Sequence, residues 1–157
     1  MSTSTRPDPV PEGYHTITPY LYVKGAARAI DFYHRAFGAE ELFRLNGPGD
    51  LIGHAEMRIG DSPFMLSDEF EEWENRSPLT LGGSAGLMMV YVDDVDAAFA
   101  RALEAGATEI RPPENHFYGD RAGTLEDPFG HRWTLSTHVE DVPPDVMADR
   151  MREMFGS

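Results

Sequence analysis

His54, Glu56 and Arg58 are spaced two apart in the run HAEMR, so on a β-strand all three point to one face. A carboxylate next to an imidazole on the same face can orient it and raise its charge, which makes His54/Glu56 a candidate catalytic acid/base pair. Two other readings use the same residues. They form a hydrogen-bond network that only fixes strand pairing, or they hold an unconventional divalent metal with Asp120, the least favoured of the three. A second constellation is Tyr20, Tyr22, Met65, Leu87, Met89 and Tyr91. Aromatic faces carrying phenolic handles, beside adaptable thioethers, suit a flat or amphipathic ligand. The alternative is that these side chains fill a small core. Arg58, Asp120 and Arg132 complete the candidate ligand-binding set, the two arginines being its cationic members. Arg121, next to Asp120 in a strand, points to the opposite face and is expected to pair with an acidic neighbour there. His15, His34, His116, His131 and His138 show no metal-ligand spacing such as HxxxH.

The elements that must position these side chains come twice. Residues 18–38, TPYLYVKGAARAIDFYHRAFG, and 87–106, LMMVYVDDVDAAFARALEAG, each read as strand, turn, helix and glycine stop. Ala26, Ala29, Ile30, Tyr33 and Phe37 line one face of the first helix; Val95, Ala98, Phe99 and Leu103 line one face of the second. Asp94 is placed to cap the second helix, and Gly38 and Gly106 stand where a helix is closed. Three strands follow each helix, at 40–46, 52–60 and 62–68, and at 108–113, 120–126 and 131–137. Gly60-Asp61 and Asp127-Pro128-Phe129-Gly130 supply the hairpin turns. The alternation puts Leu21 and Val23 toward the helix and Tyr20 and Tyr22 on the opposite, concave face, with the matching division in the second copy. The fold class is therefore α+β, two tandem βαβββ units with a C-terminal helix. Expected boundaries are a mobile arm at 1–14, unit one at 16–68, a linker at 69–84, unit two at 85–138 and a helical tail at 139–157, units and linker making one domain over 15–138.

This order, with HAEMRIGDSPFMLSDE at 54–69 and YGDRAGTLEDPFGHRWTLSTH at 118–138, resembles the vicinal-oxygen-chelate superfamily of glyoxalases, bleomycin-resistance proteins and dioxygenases, and within it the PhnB-like branch. The resemblance covers about residues 16–138. It implies a cup formed by the concave sheet faces, a homodimer, and, in metal-dependent members, His/Gln and Glu ligands at four positions on the first and fourth strands of each unit. Here those positions are Thr18, Met65, Leu87 and Thr134, so no metal site and no cofactor is expected.

Composition bounds the rest. A net charge of −14, from 13 basic and 27 acidic residues, repels phosphate backbones and anionic lipid, which argues against nucleic-acid and membrane-surface roles. With no cysteine, disulfides, thiolate metal sites and cysteine nucleophiles are excluded, and a cytoplasmic location is compatible. Phosphate-loop and dinucleotide patterns are absent. The expected partner is a small-molecule ligand, bound without the usual catalytic metal; the alternative is a lyase, isomerase or dioxygenase-like enzyme using His54 and Glu56 on a small oxygenated metabolite.

Overall fold

Tyr20 to Val23 alternate exposed and buried, as a strand must when one face lies against a helix and the other does not. The computed structural model describes residues 6–156, so residues 1–5 of the expected arm lie outside the described residues, as does Ser157. The chain divides into two units, Met1–Leu81 and Gly82–Ser157.

In the first unit, β1 (Tyr20–Val23) leads into α1 (Ala26–Phe37), then β2 (Glu40–Asn46), β3 (Ile52–Ile59) and β4 (Ser62–Asp68). The sheet order is β1-β4-β3-β2, with β1 parallel to β4 and the other pairs antiparallel. Leu21, Val23, Ala55, Met57, Phe64 and Leu66 bury themselves against Ala26, Ala29, Ile30, Phe32, Tyr33 and Ala36 of α1. Tyr33 stacks at 5.8 Å edge-on to Phe64, tying helix to sheet. Glycine at the position before α1 offers the helix no side-chain cap. Asp68, buried at the end of β4, supplies one instead: Oδ1 accepts from Gly25 N and Ala26 N at 2.9 Å each, and Oδ2 from Ile52 N at 2.7 Å. Gly38 closes α1 at φ 68°.

The second unit repeats the plan with β5 (Leu87–Tyr91), α3 (Val95–Ala105), β6 (Thr108–Asn115), β7 (Asp120–Glu126) and β8 (Arg132–His138), in the order β5-β8-β7-β6. Asp94 caps α3 through Ala97 N at 3.2 Å. Thr137, one residue beyond Ser136 as Asp68 is one beyond Ser67, accepts from Val95 N at 2.9 Å and donates to Val92 O at 2.8 Å. Asp127 organises the β7–β8 turn, accepting from Phe129 N, His131 N and the Trp133 indole N–H. The tail forms α4 (Pro144–Phe155), its prolines at the first turn.

Two expectations need adjustment. The stretch expected as linker is largely built structure. A 3-10 turn at Glu71–Trp73 and the short α2 (Pro78–Leu81) fold onto the first unit, because the half-buried Glu69 accepts from Ser77 N at 2.7 Å and from the Thr80 hydroxyl at 2.9 Å. Charge and Ser/Gly content gave no sign of this. Within the expected arm, Tyr14 is fastened: its N–H reaches Pro11 O at 3.0 Å and its hydroxyl donates to Glu56. Strand β6 runs two residues past its expected end, to Asn115, and tolerates Pro112 and Pro113 because one side of an edge strand's ladder needs no donor.

Candidate functional site

In each unit the face opposite the helix carries the candidate residues. On the first sheet the register aligns Tyr20 with Met65 and Met65 with Glu56, and β2 sets Phe43 across from Glu56 and Leu45 across from His54. His54 and Glu56 meet: Nε2 lies 2.8 Å from Oε2, with both side chains largely covered. The other imidazole nitrogen, Nδ1, lies 2.9 Å from the Tyr20 hydroxyl, and the Tyr14 hydroxyl donates to the second Glu56 oxygen. An ionised Glu56 can only accept, so Nε2–H donates to it, and the network closes when Nδ1 accepts from Tyr20 O–H. Burial pushes the Tyr20 phenol up and keeps it protonated, a hydrogen bond with Ser67 offsetting only part of this. The result is a relay Tyr20–His54–Glu56–Tyr14 that is fully satisfied with a neutral imidazole. Around it the rings form a continuous surface, Tyr22 to Tyr20 at 5.6 Å, Tyr20 to His54 at 5.6 Å and Phe43 to His54 at 6.4 Å.

Arg58 does not join this relay. It reaches across to Glu40 of β2 at 2.7 Å, beside an open polar depression of 380 Å³ that Gly13, Gly38, Gly60 and Asp61 also line. Two residues of the site escaped the sequence reading. Tyr14 lies 42 positions from its partner Glu56, with no periodicity linking them. Phe43 follows a register shift between Glu41 and Phe43, which breaks the alternation that would have assigned its face.

On the second sheet Leu87, Met89 and Tyr91 stand in a row, 47%, 48% and 62% exposed, opposite Arg132, Thr134 and Ser136. Arg132 pairs with Glu126 across the strands at 3.5 Å. Arg121 points to the helix side and binds Asp96 of α3 through two nitrogens, at 2.9 and 3.0 Å. Asp120, only 4% exposed, is the centre of a polar cluster. It accepts from Tyr91 Oη at 3.0 Å, Ser136 Oγ at 3.2 Å and His138 Nδ1 at 2.7 Å. Burial by itself would raise this carboxyl; the bonds from His138, Tyr91 and Ser136 outweigh it and hold it below the ordinary value. His138, which its spacing alone left unassigned, is raised by its bond to Asp120 and by a second to Asp141.

The four positions that the sequence resemblance assigns to metal ligands hold no imidazole or carboxylate. On the first sheet they are Thr18, whose hydroxyl goes to His15 O at 3.3 Å, and the Met65 thioether. On the second they are the exposed Leu87 and Thr134, whose hydroxyl bonds Thr124 at 2.8 Å. Two hydroxyls engaged elsewhere, a thioether and an alkyl chain do not make a hard-cation ligand set. Among the described residues, no three His, Asp or Glu side chains gather in a metal-holding group.

The model of the Glyoxalase/Bleomycin resistance protein/Dioxygenase superfamily matches residues 13–135. The chain belongs to that superfamily. An uncharacterized protein of Mycobacterium tuberculosis is 43% identical over 138 residues, spanning 86% of this chain and 81% of its own. Among solved structures, TioX from Micromonospora sp. ML1 is 26% identical at a TM-score of 0.62, covering 82% of this chain and 100% of TioX. A PhnB protein from Bacillus cereus shares the fold at 23% identity and a TM-score of 0.60, over 78% of this chain and 99% of that one. This glyoxalase-superfamily chain thus keeps the two βαβββ units.

Proposed function

We propose that this superfamily member binds a flat aromatic or amphipathic small molecule on its concave sheet faces and works without the family's usual divalent ion. The observation that carries this reading is the substitution of all four ligand positions beside exposed aromatic and methionine side chains. Tyr20, Tyr22, Phe43 and His54 offer a ring surface on the first sheet, and Leu87, Met89 and Tyr91 an apolar row on the second. Small-molecule sites are built in this way, apolar with a few polar groups that fix orientation. Among the described residues no helix is long and apolar enough to cross a membrane. A homodimer, as in relatives of this fold, would add further walls to such a face.

Methyl-labelled methionine offers the test. Titrating the protein with a panel of flat aromatic compounds should shift the Met65 and Met89 methyl NMR signals in a saturable way for at least one chemotype. Unmoved Met65 and Met89 signals across the panel would contradict the reading.

The relay on the first sheet supports a second reading, an acid/base enzyme acting on an oxygenated metabolite. His54 lies between a phenol and a carboxylate at 2.9 and 2.8 Å, the arrangement a proton-transfer group needs. His54→Ala separates the two. Under the binding reading ligand still shifts the Met89 methyl and no turnover is lost; under the enzyme reading turnover falls by about a hundredfold or more.

A further inference from the structure

His138 has two neighbours that can only accept. Its Nδ1 lies 2.7 Å from Asp120 Oδ1 and its Nε2 2.7 Å from Asp141 Oδ1. An ionised carboxylate donates nothing, so both nitrogens must carry protons and the ring is an imidazolium. The two partners differ greatly in how firmly they are held. Asp120 is buried and fixed by Tyr91 and Ser136, whereas the Asp141 side chain is 100% exposed. Its bond is therefore the one that water and salt weaken. When Asp141 lets go, Asp120 keeps Nδ1–H and Nε2–H is freed at the edge of the same face that carries Tyr91.

We propose that Nε2 of His138 is a binding site for the acidic hydroxyl of a phenol or enol, and that Asp141 is a built-in occupant which the ligand displaces. This rests on the reading of the second sheet's face as a ligand surface. The ligand gives up its O–H proton to solvent, and the oxyanion takes over Nε2–H of the imidazolium from Asp141. Asp120 stays ionised and holds the ring from behind. The flat body of the ligand lies along Tyr91 and Met89, which are 62% and 48% exposed. A hydroxyl that arrives neutral and ionises in place suits a chain of net charge −14, because a preformed anion is repelled over a long range. Near the Asp120 cluster, the Tyr91 and Tyr118 phenols are both raised, His116 stacks on Tyr118 at 5.3 Å, and Glu140 is paired with Arg150 of α4 at 2.7 Å.

The probe is 4-nitrophenol, whose colour reports its ionised form, titrated into the full chain in mildly acidic buffer where the free dye is mostly neutral. Wild type is expected to bind it as the yellow phenolate and to shift the Met89 methyl signal. Asp141→Asn removes the competing carboxylate and should tighten binding severalfold. His138→Gln should abolish the phenolate colour and weaken binding about tenfold, the scale of one charge-assisted hydrogen bond. Dye that shifts Met89 yet stays neutral, or stays yellow in His138→Gln, overturns the role of His138 while the ligand surface stands. Weaker binding by Asp141→Asn overturns the displacement. No binding by wild type at millimolar dye overturns the proposed ligand class. Asp141 is fully exposed, so that variant gives its answer even if His138→Gln fails to fold.

Discussion

Gly119→Ala lowers the stability of the second unit by about 4 kcal/mol, the sum of a strained backbone and a forced contact. Gly119 sits at φ 99°, where a side chain clashes with its own backbone, and a Cβ there would stand 2.1 Å from the carbonyl oxygen of Glu140. Glu140 cannot easily retreat. Its N–H and that of Val139 both donate to Gly119 O, at 3.0 and 2.9 Å, and its carboxylate is tied to Arg150. The same substitution pushes on Asp120, the next residue, and so on the cluster around His138. Urea unfolding is the measurement, with alanine at the open position Gly49 as the control for left-handed backbone alone. The Gly49 variant should lose only about 1 to 2 kcal/mol. Equal losses at both positions would show that the contact with Glu140 is of no consequence.

Asp120→Ala is expected to cost about 3 kcal/mol near pH 5, because it leaves the Tyr91 and Ser136 hydroxyls and the His138 imidazolium without their buried acceptor. Ser136 is completely buried, so water cannot replace what is lost. The cost depends on pH with a definite sign. The folded carboxyl of Asp120 lies below its ordinary 3.8, so its contribution is complete above that value and is lost as the pH falls through the folded one. The folded imidazole of His138 lies above its ordinary 6.5, so its contribution is complete below that value and is lost as the pH rises through the folded one. The stability difference between wild type and Asp120→Ala should therefore be flat between these two values and shrink on either side. A difference that keeps growing above pH 7 would mean that His138 is not the group that Asp120 charges.

Local patterns in the sequence reached most of the fold. Leu21 and Val23 alternate with Tyr20 and Tyr22, so the strand period alone separated helix side from concave side. Gly38, Gly106, Asp94 and the DPFG turn marked element ends because each has a conformational job that few residues can do. What escaped depends on partners distant in sequence. Asp120 and His138 are 18 positions apart and meet only because β7 and β8 pair in that register, which placed His138 within the strand rather than past its end. The fastening of Tyr14 to Glu56 and of Ser77 and Thr80 to Glu69 is likewise a matter of tertiary structure, invisible to composition. Arg58 and Arg132 were assigned to the ligand face, but the charged residue opposite each of them, Glu40 and Glu126, takes the guanidinium. The absence of imidazole and carboxylate at Thr18, Met65, Leu87 and Thr134 was legible from the start, since it required only the strand anchors and the residue types.

Metal loading tests the central claim most directly. Protein prepared without a histidine tag is incubated with Mn, Fe, Co, Ni and Zn in turn, passed through a desalting column and measured for bound metal by mass spectrometry. Occupancy far below one ion per chain for every metal is the expected result. One ion per chain for any of them, retained by wild type and lost in His54→Ala or Glu56→Ala, would contradict a metal-free site and move the first-sheet relay from proton transfer to metal coordination.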